Sequence, residues 1–189
     1  MMMHKACMRM FWGFLITLIE IHFLVIDILP DPLGYALIAA GISSIIEDFP
    51  IGKKAYNIAV FLGVISIPGV FIQQIGGNGI VQSLTATGVY SLVLSLINLV
   101  LVFYIFQLLM EIARKRGEEE LINRTSVFLR IYIVTMLVIQ ILQSFTLNMH
   151  GALLQGYIIV AVIISLVLQI TFLAWIFRFR KYDLSDEAA

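Results

Sequence analysis

Charged residues are scarce in this sequence: they make up 13% of its 189 residues, against 61% that are hydrophobic. A soluble domain has about 25% charged and about 45–50% apolar residues, because its surface must face water. The composition therefore excludes an ordinary soluble protein and indicates an integral membrane protein. One helical span takes about 20 apolar residues, so a chain of this length has room for at most about six or seven spans.

Cysteine and the usual enzyme motifs are also lacking. A single cysteine, Cys7, excludes an internal disulfide. There is no H-E-x-x-H and no cysteine–histidine cluster with the spacing of metal ligands, and the run 41–44 lacks the second glycine of a rhomboid-type G-x-S-G. The glycine-rich stretch 76–79 follows no strand, which favours a flexible loop over a phosphate-binding one. We therefore expect no metal, no cofactor and no nucleic-acid partner, and a membrane enzyme ranks third among the functional hypotheses.

Apolar runs separated by polar or proline-containing turns predict an all-α bundle of six transmembrane helices. The predicted spans are about 10–29, 32–48, 55–75, 89–110, 127–147 and 157–177. Pro30 and Pro32 end the first span, and the order Asp31-Pro32 favours a helix start. The second span is short, so it either crosses fully, which we expect, or forms a partly inserted half of a hairpin. Pro68 and Gly69 predict a kink in the third span. Residues 1–182 then form one membrane domain, followed by a polar tail at 183–189.

The basic residues predict the orientation of the spans. Lysine and arginine collect in cytoplasmic segments, and all twelve of them lie before the first span, between spans two and three, around the connection of spans four and five, or after span six. The connections around 30–32, 76–88 and 148–156 contain none. We therefore predict that both termini are cytoplasmic, in a multi-pass protein of the cell membrane.

Ionisable residues inside the first span are the foremost functional candidates, because a charge near the middle of a membrane costs at least a few kcal/mol. Glu20 and Asp27 are seven residues apart, so they lie only about 20° apart around a helix. Asp31 continues this stripe if the turn keeps helical phase, whereas His22 points to the other side. The alternative for Glu20 is a structural carboxyl group held between helices. Arg130, at the start of the fifth span, either reaches inward as an ion-pair partner for Glu20 or extends to the membrane surface.

Other polar residues fall into two groups by depth. One group lies near the outer end and is a candidate vestibule for a solute or ion. The alternative is that these residues are polar only because they lie at the membrane interface. The group comprises Asp27, Asp31, Tyr35, Gln73, Gln74, Gln143, Asn148 and His150. A deeper group is predicted to form hydrogen bonds between helices; it comprises Asn98, Gln140 and Gln169.

Small residues four positions apart give the second span a possible packing face, formed by Ala36, Ala40 and Ser44. Such spacing lets a neighbouring helix approach closely. The neighbour is either the first span or another molecule, which includes a second membrane protein or a second copy of this chain.

The stretch 27–38 reads D-I-L-P-D-P-L-G-Y-A-L-I. It resembles the D-I-L-P-D-x-x-G-Y-x-L-I pattern of small, uncharacterised multi-pass membrane proteins of Gram-positive bacteria. The resemblance implies a bacterial cell membrane and marks Asp27, Asp31, Gly34 and Tyr35 as a unit, with Pro30 and Pro32 forming a rigid turn. It implies no activity.

In length, number of spans and position of the termini, the chain is also similar to the substrate-binding membrane subunits of energy-coupling-factor vitamin transporters. Their small-residue contact motif lies in the first span, whereas here it lies in the second. Our leading hypothesis is a protein that binds or transports a small solute or cation with the carboxylates of the first span. The second hypothesis is an accessory or immunity-type protein that binds a partner protein in the lipid bilayer.

Overall fold

The computed structural model describes the backbone of residues 2–22, 31–68, 86–146 and 150–181, and the side chains of 3–18, 31–68, 88–146 and 150–181. This part of the chain is all-helical, as the sequence predicts. Six helices follow one another: α1 is Met2–His22, α2 is Asp31–Ser43, α3 is Gly52–Ile65, α4 is Ala86–Lys115, α5 is Glu119–Ser144 and α6 is Ala152–Phe179.

Three of these helices are long and apolar enough to cross a membrane, over Gly88–Lys115, Glu119–Ser144 and Ala152–Phe179. The described part of α2 has 13 residues and that of α3 has 14, which corresponds to only about 20 Å each at 1.5 Å per residue. A hydrocarbon core is about 30 Å thick. The described helices therefore include three candidate spans where the sequence predicts six.

The boundaries of the first three helices differ from the predicted spans for local reasons. α1 begins at Met2, so the helix includes the basic residues that precede the predicted span. α2 ends at Ser43 and is followed by turns, with the Ser44 hydroxyl donating to the Gly41 carbonyl at 2.7 Å. α3 ends at Ile65, where a turn at Ser66 interrupts the helix, and residues 67–68 are helical again. Gly69, which belongs to the predicted kink, lies outside the described residues.

α1 and α2 form a tight antiparallel pair. A Cβ atom added to Gly13 would lie 2.6 Å from the backbone oxygen of Gly34, and one added to Gly34 would lie 2.7 Å from Cγ2 of Thr17. Farther along, a Cβ on Gly41 would lie 2.8 Å from the carbonyl oxygen of Ala6. The two backbones approach this closely only because glycine has no side chain there.

The remaining helices also pack antiparallel to their neighbours in the chain. Tyr90 at the start of α4 donates to the carbonyl of Ile65 at the end of α3. Tyr157 of α6 donates to the carbonyl of Ile139 of α5 at 2.7 Å, and Trp175 Nε1 donates to Thr125 Oγ1 at 2.9 Å. Along these contacts the residue number rises in α6 while it falls in α5, so the two helices are antiparallel, as in an up-and-down bundle.

The first and last helices also contact each other, and aromatic rings fill the space between α1, α4, α5 and α6. The centroids of Phe14 and Phe172 are 5.0 Å apart, and Phe106 lies 5.0 Å from Phe172 and 5.9 Å from Tyr132. The Phe106 side chain has no exposed surface. Such ring pairs contribute about 0.5–1.5 kcal/mol each beyond the burial of their area, so this cluster holds the four helices together.

One end of the bundle carries all twelve basic residues, because the helices alternate in direction. Aromatic residues accompany the cations there: Lys115 Nζ lies 4.3 Å from the Phe49 ring and donates to the Asp48 carbonyl at 2.6 Å, and Arg180 lies 3.6 Å from the Phe177 ring. The alternation that the sequence predicts for the basic segments is therefore present in the fold.

The outward faces of the long helices are apolar and unusually exposed. Only 17% of the most apolar stretch of α5 and 11% of that of α6 is buried within the chain. Water does not stabilise such a surface, which is much larger than the apolar patches of soluble monomers. The exposed large apolar side chains on α5 are Val127, Ile131, Val134, Leu137, Val138, Ile141 and Leu142.

Candidate functional site

A small, partly open cavity lies where four helices meet. α1, α4, α5 and α6 supply its walls, so it joins the two ends of the chain. It is lined by Phe14, Thr17, Leu18, Asn98, Val102, Tyr132, Gln169, Phe172 and Leu173. Each of the four helices contributes one polar side chain to this otherwise apolar wall, which makes the cavity the candidate functional site.

Two of the polar residues leave oxygen atoms without partners. Asn98 Oδ1 on α4 and Gln169 Oε1 on α6 are buried, and neither accepts a hydrogen bond from the described part of the chain. Leaving a buried acceptor unsatisfied costs about 1–3 kcal/mol. Native proteins seldom tolerate two such atoms beside one cavity unless a ligand or a water molecule satisfies them.

The other two polar residues have hydroxyl groups. Thr17 is buried and donates to the carbonyl of Phe14 in its own helix at 3.0 Å, which leaves the lone pairs of its oxygen available to accept. Tyr132 is only 3% exposed and is surrounded by the rings of Phe106, Phe128 and Phe172. The packing of these rings restricts the position of the Tyr132 hydroxyl.

The glycine contact between α1 and α2 positions one wall of the cavity. Gly34 lies directly against Thr17, so α2 packs against a residue of α1 that lines the cavity. Gly34 belongs to the motif at 27–38, and its contact explains in physical terms why a residue without a side chain stands there.

The size of the cavity limits what it can hold. A water-sized group can occupy about 20 Å³ of it, which is enough for about one water molecule or one ion of similar size. Pockets for drug-sized organic ligands have volumes of about 300–1,000 Å³. A vitamin-sized solute therefore does not fit in this cavity as it stands.

The deep polar residues behave differently from one another. Gln140 donates from Nε2 to Ser95 Oγ of α4 at 2.7 Å, which confirms the predicted hydrogen bond between helices. Asn98 and Gln169, for which the same role is predicted, form no such bond within the described residues and line the cavity instead. The sequence signal for this site is one polar residue at similar depth in each of four apolar helices.

Most of the predicted carboxylate site lies outside the described residues. Glu20 and His22 belong to the backbone of α1, but their side chains are not described, and Asp27, Pro30 and Gln73 lie outside altogether. Asp31 and Pro32 begin α2 as predicted, with both side chains half-buried. The proposed grouping of these carboxylates therefore stays a prediction.

The remaining predicted residues lie at the surface or in helix contacts. Arg130 and Gln143 are both exposed on α5. Tyr35 is 5% exposed and buried between α1, α2 and α3. The structure does not place Arg130 in contact with any described carboxylate, whereas Arg124 of the same helix forms an ion pair with Glu120.

The close contact between α1 and α2 does not depend on the packing face predicted for the second span, although Arg9 of α1 donates to the Ala40 carbonyl at 3.5 Å. The residues of α2 that pack against α1 include Gly34, Ile38 and Gly41, whereas Ala36 is exposed and Ala40 and Ser44 are half-buried. Both alternatives for this face, the first span and another molecule, stay predictions.

No group of three or more histidine, cysteine, aspartate or glutamate side chains in the described residues is arranged to hold a metal ion. No protein-family model, curated protein or solved structure matches the chain. The cavity and its unsatisfied oxygens are therefore the observations from which a function must be argued.

Proposed function

We propose that this chain is a six-span protein of the cell membrane, with both termini in the cytoplasm, that binds a small polar species or cation in its central cavity and carries it across the bilayer. The observation that carries the proposal is the cavity lined by one polar side chain from each of four helices, Thr17, Asn98, Tyr132 and Gln169. A polar side chain in an apolar membrane interior either forms a hydrogen bond between helices or lines a path for a polar species; Asn98 and Gln169 form no such bond within the described residues, which favours the second role.

The exposed apolar faces of α5 and α6 support the membrane part of the proposal, because lipid is the solvent that stabilises them. The concentration of basic residues at one end supports the orientation, since lysine and arginine resist translocation. In this arrangement the first three predicted spans, at about 10–29, 32–48 and 55–75, supply the three further crossings. The lipid bilayer is then the main partner of the protein.

Labelling of introduced cysteines tests the number of crossings and their direction. Cys7 is fully buried, so the natural chain gives little background with thiol reagents. Glu119 is exposed at the start of α5, and His150 is exposed in the connection that follows the other end of this helix. In intact cells, a membrane-impermeant maleimide is expected to label the His150→Cys variant and to label the Glu119→Cys variant only after permeabilisation.

The same pair of variants provides the control for this experiment. Both should react equally with the maleimide in detergent, because both positions are exposed in the fold. Labelling of Glu119→Cys in intact cells, or equal labelling of both variants there, would contradict the proposed orientation.

Glu20 retains a role in this proposal as the charged group of the first span. It follows Thr17 of the cavity wall by three residues in α1, which places it one helical turn farther from the basic end. A carboxylate at that depth would attract a cation toward the cavity and could exchange a proton as the cation passes.

A further inference from the structure

We propose that the outer face of α1 and α2, at the basic end of the bundle, binds one anionic phospholipid of the cytoplasmic leaflet. Lys5 and Arg9 hold its phosphate group, the indole of Trp12 lies beside its ester groups, and its acyl chains cover apolar side chains of both helices. The inference rests on the proposed function only for the membrane location and the orientation, and it does not depend on transport.

Three exposed side chains form a stripe along α1. Lys5, Arg9 and Trp12 are four and three residues apart, so they lie within about 60° of one another around the helix. All three are exposed, Trp12 by 51%. Ile16, four residues farther on, continues the stripe with an aliphatic side chain. Because helical side chains point toward the N-terminus of their helix, the two cations extend toward the basic end of the bundle.

A second stripe on α2 borders the first. Arg9 Nη1 donates to the Ala40 carbonyl at 3.5 Å, which brings the end of this side chain against α2. Leu33, Leu37 and Ala40 lie within about 60° of one another around α2, and Leu33 is 52% exposed. On both helices, therefore, the surface that follows Arg9 toward the membrane interior is apolar.

No carboxylate compensates the two cations of this face. Within the described residues, neither Lys5 nor Arg9 forms an ion pair. Residues 3–18 contain no aspartate or glutamate, and the one carboxylate of α2, Asp31, lies at the opposite end of that helix. An arginine has five N–H donors, so the bond to α2 leaves most of them available. Two uncompensated charges fit an anionic headgroup better than a zwitterionic one, whose own ammonium group offsets its phosphate.

The order of groups along the face fits a phospholipid better than a soluble acidic partner. From Lys5 to Ile16 the axis of α1 rises about 16 Å, and over that distance the face changes from cationic to aromatic to aliphatic. A phospholipid presents its phosphate, ester groups and acyl chains in the same order. Basic and tryptophan side chains are typical of the membrane interface, and basic clusters on the cytoplasmic side attract anionic lipids. A soluble partner would contact the cations alone.

Quenching of the Trp12 fluorescence by brominated lipids tests this inference. The chain has two tryptophans, so the Trp175→Phe variant leaves Trp12 as the only one. The purified variant is placed in nanodiscs of phosphatidylcholine with a minor share of phosphatidylglycerol, and bromine is attached to the acyl chains of one lipid at a time. Phosphatidylglycerol should be enriched beside Trp12 about tenfold over its share of the bilayer, which corresponds to about 1.4 kcal/mol. Quenching in proportion to the share of each lipid would overturn the proposal.

Two double variants, made in the same Trp175→Phe background, locate the effect. Lys5→Gln/Arg9→Gln should abolish the enrichment, because it removes both cations of the face. Lys53→Gln/Lys54→Gln is the matched control, since it removes the same charge from exposed positions at the same end of the bundle, but on α3. Its enrichment should be unchanged. An equal loss in both double variants would indicate a diffuse attraction set by net charge and would overturn the site.

Two further measurements keep the result decisive if the glutamine variant fails to fold. Lys5→Arg/Arg9→Lys preserves both charges, so it should preserve the enrichment; its loss would contradict recognition by charge. Inorganic phosphate should displace the lipid no more than sodium chloride does at equal ionic strength. A larger displacement would indicate a site for soluble phosphate and would overturn the choice of a lipid.

Flux of ⁸⁶Rb⁺ into liposomes separates this inference from the proposed function. Enrichment of phosphatidylglycerol without cation flux would overturn transport and leave the lipid site in place. Flux with unselective quenching of Trp12 would overturn the lipid site alone. A wrong orientation of the chain would be detected independently by the cysteine labelling.

Discussion

Replacing Gly13 with alanine is expected to lower the thermal unfolding midpoint of the purified protein by about 5–10 °C. The added Cβ would lie 2.6 Å from the carbonyl oxygen of Gly34 and 3.0 Å from the backbone nitrogen of Ile38. Both are backbone atoms, so no side-chain rotation relieves the contact and the two helices must separate. Overpacking of this kind costs about 1–3 kcal/mol, and a protein of this size loses about 2–4 °C for each kcal/mol.

Gly156→Ala is the matched control for this substitution. Gly156 also lies inside a helix, α6, but nothing is within 4 Å of the position that its Cβ would occupy. Alanine is preferred over glycine in a helix by about 1 kcal/mol, so the midpoint should stay unchanged or rise. If both variants show the same decrease, the close contact of α1 with α2 is not what makes Gly13 necessary.

Gly13 also matters for the cavity, because Gly34, which lies against Gly13, also lies against Thr17 of the cavity wall. A Gly13→Ala protein that still folds should therefore bind the proposed cation more weakly, whereas Gly156→Ala should bind it as the natural protein does. This links the packing of the first two helices to the site between the first and last ones.

Replacing Glu20 with glutamine is expected to reduce cation flux into liposomes by at least about tenfold. The substitution preserves the shape of the side chain and removes its negative charge, which is the feature that would draw a cation into the membrane interior. A tenfold change corresponds to about 1.4 kcal/mol, which is smaller than the cost of placing an unpaired charge at that depth. The measurement is the initial rate of ⁸⁶Rb⁺ uptake by proteoliposomes with equal protein content.

Glu119→Gln is the appropriate comparison, because Glu119 is exposed at the basic end and lies far from the cavity along α5. Its flux should match that of the natural protein. Equal flux in the natural protein and in Glu20→Gln would exclude Glu20 from the path, while leaving open a path formed by the neutral residues of the cavity.

Much of the fold follows from the one-dimensional pattern of the chain. Long apolar runs predict the helices, since only a helix satisfies its backbone within apolar surroundings. The positions of the basic residues predict that successive helices alternate in direction, and the antiparallel contacts agree with this. The boundaries were less predictable: α2 ends at Ser43 rather than near residue 48, because the turn that begins with Ser44 and Ile45 depends on local hydrogen bonds.

The packing face of α2 shows why helix neighbours were harder to predict. Both the Ala36–Ala40–Ser44 series and the pair formed by Gly34 and Gly41 offer small residues on one helix face. The contact with α1 uses the glycines because a backbone-to-backbone approach leaves no room even for a methyl group. The spacing of small residues alone does not determine which of two such faces contacts the neighbouring helix. The shape of that neighbouring helix determines it.

The sequence by itself determined that this is a helical, membrane-type chain whose basic residues lie at one end, because composition and charge order are properties of the chain in one dimension. Only the tertiary structure decided that Thr17, Asn98, Tyr132 and Gln169 line one cavity. These residues are far apart in sequence, and each helix can rotate about its axis without changing the apolar pattern. The side-chain packing of glycines and aromatic rings sets those rotations, and it thereby brings the unsatisfied oxygens of Asn98 and Gln169 to the same cavity.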